Sequence, residues 1–134
     1  MTAIQDLRQG LVNNLQTISG LRTSIDIPDN PSPPIAVIAI DTVDYSQAYQ
    51  NGLVRYNFQV TVIASRASDR RAQARLDAYI STGASSVKEA LESDRTLGGV
   101  AFDCFVADMS NFGTVSLGEV TYLACDFTVQ VLAS

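Results

Sequence analysis

Two cysteines, fourteen acidic residues and nine basic ones are what this 134-residue chain offers for chemistry, and it has no histidine. The commonest base near neutral pH and the commonest transition-metal ligand are therefore missing. Cys104 and Cys125 lack the CxxC spacing of a zinc site or a redox dithiol, and read as free structural thiols on strand-like apolar positions. The carboxylate pairs Asp26 and Asp29, Asp41 and Asp44, and Asp103 and Asp108 have none of the spacings that metal chemistry needs, and read as solvated acids. Asp126 stands inside an alternating run with Ala124 and Thr128 on its own face. Either that face meets water or the carboxylate is paired with an arginine such as Arg55. Gly98-Gly99, Gly113 and Gly118 have no phosphate-loop context, and no GxSxG elbow occurs. The expectation is no enzyme, no cofactor and no metal.

Arg66, Arg70, Arg71 and Arg75 form the one basic cluster, with Asp69 and Asp77 among them. They flank both sides of a helical stripe, and the chain has a net charge of -5. A solvated or protein-contacting helix face fits this better than a nucleic-acid grip. Tyr45, Tyr49 and Phe112 fall in loops where no core period calls for them. Aromatics so placed mark protein interfaces, or fold back on their own sheet.

The elements that must hold these residues make one domain, 1–134. Hydrophobic residues are 46% of the chain, which excludes disorder, while no apolar run is long enough to span a membrane. Charged residues, at 17%, fall short of the usual ~25%, so part of the surface is expected to lie under partners. The N-terminus lacks the basic and apolar regions of a signal peptide, which predicts an intracellular protein with reduced thiols. Ile4, Leu7, Leu11, Leu15 and Ile18 predict an amphipathic helix over 3–18, with Thr2 as its cap and an end near Gly20. Every proline lies in 22–34, which predicts an extended connector.

Residues 35–40 read as a covered strand, 41–52 as a polar loop and 53–65 as a strand of period two. Ser68 is the expected cap of a helix carrying Ala72, Leu76, Tyr79 and Ile80. Ser86 and Glu89 have capping-box spacing ahead of a short helix ending near Ser93. Residues 101–109 read as a strand, 110–116 as a loop and 117–133 as a last strand. The order is α-β-β-α-α-β-β. It predicts an α+β fold: a single, mostly antiparallel sheet of about four strands, packed by the N-terminal helix and a central helical pair. At ~3.3 Å per residue the longest runs outreach a domain of this size, so they must bend, break or project.

The run VDYSQAYQNG, the strand ending in SRASDRRAQARLDAYIS, the helix SVKEALESD, the turn RTLGGVAFD and the closing EVTYLACDFTVQV cover essentially the whole chain. In these phrases and in element order it resembles the tail terminator, or tail completion, proteins of long-tailed bacteriophages, most of all those of phages of actinobacteria. The resemblance implies a virion structural protein located at the head-proximal end of the tail and assembled in the cytoplasm of the host bacterium. Such proteins form a ring, generally a hexamer, that caps the tail tube and ends its polymerisation. The partners implied are further copies of itself, the tail tube protein and the head–tail connector or neck protein, with DNA passing non-specifically through the lumen and no membrane involved. The interface residues expected are Asp44, Tyr45, Tyr49, Phe112, Arg66 and Arg70, and the loop 41–52 is expected to be a subunit or tube contact. Two rivals stand beside this reading. A neck or head-completion connector of the same virion should be richer in helix, and a small α+β ligand-binding domain or enzyme would need a convergent polar site.

Overall fold

The computed structural model describes residues 4–18, 20–25, 34–45, 54–83 and 85–133. Helix α1 spans Ile4–Leu15, strand β1 Arg22–Ser24, β2 Ile35–Asp44 and β3 Val54–Arg66. Helices α2 (Ala72–Ile80) and α3 (Val87–Leu91) follow, then a 3-10 turn (Leu97–Gly99), β4 (Asp103–Leu117) and β5 (Val120–Ala133). The strands form one sheet in the order β1-β2-β3-β5-β4, antiparallel except where β1 pairs with β2. The fold is α+β, as the two periodicities require.

Period two in β3 puts Tyr56, Phe58, Val60, Val62 and Ala64 on one face, all buried. Phe127, Val129, Val131 and Ala133 of β5 continue that face, and Leu7, Leu11 and Leu15 of α1 pack on it together with Leu76 of α2 and Leu91 of α3. The three helices thus cover one face of the sheet and leave the other without a helical layer. That second face carries a small cluster of its own, Ile35, Ile63, Tyr122 and Ala124, towards the β4–β5 hairpin.

The structure corrects several sequence expectations. The sheet has five strands, because Arg22–Ser24, read as part of a connector, adds a short parallel edge held by Arg22 N–H on the Pro34 carbonyl at 3.1 Å. The loop read at 41–52 is strand up to Asp44. Ile40 and Val43 both pack against the core although three residues apart, and the register shift between Ile40 and Thr42 makes this possible. The loop read at 110–116 is also strand. β4 runs through it with shifts between Val106 and Asp108 and between Ser110 and Gly113, where Asn111 adopts a φ of 56°. A further shift interrupts β3 between Ile63 and Ser65. The long strands therefore bend at bulges.

Ser68 does not cap α2. The helix starts at Ala72, and the Asp69 carboxylate takes the Arg71 N–H at 2.9 Å ahead of it. Ser86 does cap α3, accepting from the Glu89 N–H at 3.2 Å, while the Glu89 carboxylate accepts from Gly83 N–H. Thr2, expected to cap α1, lies outside the described residues.

Candidate functional site

Three places on the sheet follow from this architecture: its uncovered face, its two edges, and a notch where the β4 edge meets the helices. On the uncovered face, Val37, Thr61, Asp126 and Ser110 occupy one level across β2, β3, β5 and β4. Thr61 Oγ1 donates to one Asp126 oxygen at 2.7 Å and Asn111 Nδ2 donates to the other at 2.9 Å. Asp126 thus ties three strands together. It is not paired with Arg55, which stands opposite Leu132, six residues further along β5 and so roughly 20 Å away. Val37, Thr61 and Asp126 line a groove of about 450 Å³ together with Asn111, Gly113, Thr114 and Val115 of β4. Both oxygens of its carboxylate already accept a hydrogen bond from within the sheet, so this acid serves the sheet's own packing.

At the edges, β1 pairs with β2 only as far as Val37, and no described strand pairs with the outer side of β2 beyond it. Tyr45 follows this edge and is 72% exposed. At the far side, β4 pairs with β5 alone. Its first turns are guarded: the Asp103 carboxylate takes the Cys104 N–H at 2.8 Å and Glu92 takes the Val106 N–H at 2.9 Å. Arg95 in turn grips both Asp103 oxygens, at 2.7 and 2.9 Å, and holds that carboxyl below its usual 3.8. Burial works against the charge of Glu92, yet its bonds from Lys88 and Val106 outweigh this and its pKa too is lowered. Past the bulge at Ala107 no such guard is present among the described residues. Open edges of this kind are templates for pairing with another chain.

The notch, of about 140 Å³, lies just there, lined by Ile80, Val106, Ala107, Met109 and Phe127, with Lys88 and Asp108 also contributing. A drug-sized ligand needs roughly 300 Å³ or more. One side chain fits.

The residues expected at an interface are divided between two ends of the sheet. Asp44 and Tyr45 lie at the end of β2, level with Arg55, Leu132 and Asp103. Arg66 lies at the other end, opposite Tyr122, with Arg70 in the turn that follows, and both are exposed. Phe112 sits in the second β4 bulge, 42% exposed, on the opposite edge from Tyr45. Tyr49 lies outside the described residues. No single subunit brings the group together. Sequence reasoning missed Phe102, which is 65% exposed. Period two from Cys104 and Val106 places it with the core, but it precedes β4 and neighbouring Ala101 is buried instead.

Cys104 and Cys125 are both buried and free, and burial pushes each thiol up to about 12. Among the described residues no three cysteine, aspartate or glutamate side chains converge as a metal site would, and no helix is long and apolar enough to cross a membrane. No protein-family model matches the chain, and no curated protein matches it significantly.

Proposed function

We propose that the chain is the subunit of a ring that caps a phage tail tube, a tail terminator, and that it works by shape and contact rather than by chemistry. The observation that carries this reading is the sheet with two opposite edges open to further pairing, one followed by an exposed tyrosine and the other interrupted by an exposed phenylalanine. A subunit with different surfaces on its two sides joins head to tail, and such contacts make a ring when the rotation between neighbours closes. The net charge of -5 suits a lumen that lets DNA slide without holding it. Most of the phrase VDYSQAYQNG lies outside the described residues, while the other phrases that resemble tail terminators coincide with β3 and α2, α3, the turn before β4, and β5. The partners they imply are the tube protein below and the neck protein above. The groove on the uncovered face supports a ligand-binding reading less well, since its polar centre is already hydrogen-bonded within the sheet.

Electron microscopy and sedimentation of the purified chain test the proposal. Rings with a central hole, which stop growth when added to polymerising tube protein of the same virion, are the expected result. A protein that stays monomeric at high concentration, or rings that bind heads and ignore tubes, would overturn it.

A further inference from the structure

The notch and Tyr45 have matching dimensions and chemistry but lie on opposite edges of the sheet, so one subunit cannot bring them together. The notch is apolar within, and Lys88 and Asp108 place a cation and a carboxylate among the residues around it. A tyrosine has this same polarity, an apolar ring with a hydroxyl at its tip. At about 140 Å³ the space suits one aromatic side chain and is too small for an ordinary ligand.

We propose that Tyr45 of one copy seats in the notch of the next, while the outer edge of β2 pairs antiparallel with β4 beyond the Ala107 bulge. This names the junction within the ring proposed above and rests on that reading. Three observations favour it. β2 and β4 run in opposite senses across the sheet, so when copies stand side by side in one orientation the edges meet antiparallel. The N–H groups at the start of β4 that could otherwise pair with another strand, at Cys104 and Val106, are occupied by Asp103 and Glu92, which confines pairing to the edge beyond them. Those guards end where the notch and the unguarded edge begin. Among the described residues the other exposed aromatics, Phe102 and Phe112, lie on the same side as the notch. Seating one of them would join β4 to β4 and close a two-fold dimer, whereas Tyr45 comes from the far edge and passes the contact onward around a ring.

Cysteine cross-linking of the full chain decides the matter. Tyr45→Cys and Ala107→Cys place thiols at two exposed positions, and the native thiols are buried and stay protonated. Mild oxidation of the double variant, at a concentration where sedimentation shows it assembled, is expected to give a ladder of covalent multimers up to the ring. Oxidation of an equal mixture of the single variants is expected to give only dimers containing one chain of each kind. Tyr45→Phe, which keeps the aromatic ring and loses only the hydroxyl, should need slightly more protein to assemble than the parent, and Tyr45→Ser should need at least tenfold more. Rings that form without a 45–107 cross-link overturn the junction and leave the ring standing, as does cross-linking within Tyr45→Cys alone, the mark of a two-fold contact. A parent protein that forms no ring overturns both.

Discussion

Gly10 shows how closely single residues are fitted. It is buried in α1, and a Cβ added there would lie 2.6 Å from the Cβ of Leu97 and 3.2 Å from its carbonyl oxygen. Neither atom is the far end of a flexible side chain. Alanine gains about 1 kcal/mol of helix propensity over glycine, but overpacking a tight site costs about 1–3 kcal/mol. Gly10→Ala is therefore expected to lower stability, seen as a lower urea midpoint. Nearby, the Asn14 amide donates to the carbonyls of Leu91 and Asp94, both at 3.0 Å, and so fastens α1 to the end of α3. The thiols belong to this scale as well. Cys104 and Cys125 have pKa values raised to about 12, chiefly by burial. A thiol-specific reagent at pH 8 should label neither in the native protein and both after denaturation. Rapid native labelling, followed by mass spectrometry, would contradict their placement.

The elements are held at their ends by a few specific devices. β4 and β5 are joined through Gly118, whose φ of 66° is strained for any residue with a Cβ. Leu117 pairs directly with Val120 across this turn, which leaves it no slack. Gly118→Ala should cost about 1–2 kcal/mol, measured by chemical denaturation. The start of β4 is held by carboxylates: Asp103 on Arg95, Asp94 on Thr96 and Gly98, and Glu92 on Lys88 and Val106. All three have folded pKa values below their usual 3.8 or 4.5. Their contribution is thus fully present above the unfolded values and is lost as pH falls through the lower, folded ones. The urea midpoint should hold steady from neutral pH to about 5 and then fall as the carboxylates protonate. Asp103→Asn should flatten that fall. Asp94 is exposed and Glu92 and Asp103 are half-buried, so added salt should weaken the effect in part.

Among the described residues the sheet has one face covered by helices, one without them, and two unlike edges. On the ring proposed above, such a unit is completed by its neighbours. Assembly that binds the folded state alone raises apparent stability with concentration. The melting temperature of the parent chain should therefore climb as protein concentration rises. Tyr45→Ser should remove that climb while leaving the circular dichroism spectrum unchanged. A melting temperature independent of concentration in the parent would speak against assembly at this scale.

What the sequence by itself determined was whatever depends on neighbours along the chain. The four-residue spacing of Leu7, Leu11 and Leu15 specified α1 and its buried side, because an α-helix returns to nearly the same face every 3.6 residues. The alternation from Val54 to Ala64 specified which face of β3 enters the core, and Ser86 with Glu89 specified where α3 begins. Missing histidine limited the chemistry without any coordinates. Tertiary structure decided what depends on neighbours in space. The pairing of β1 with β2 needs a partner more than ten residues away, and three residues have no period of their own. The bulges at Asp41 and Ala107 were written in the pairs Ile40 with Val43 and Val106 with Met109, but only a paired strand gives a three-residue spacing that meaning. Asp126 could have faced water or an arginine. Its partners proved to be Thr61, set opposite it by register, and Asn111, brought to it by the bulge in β4.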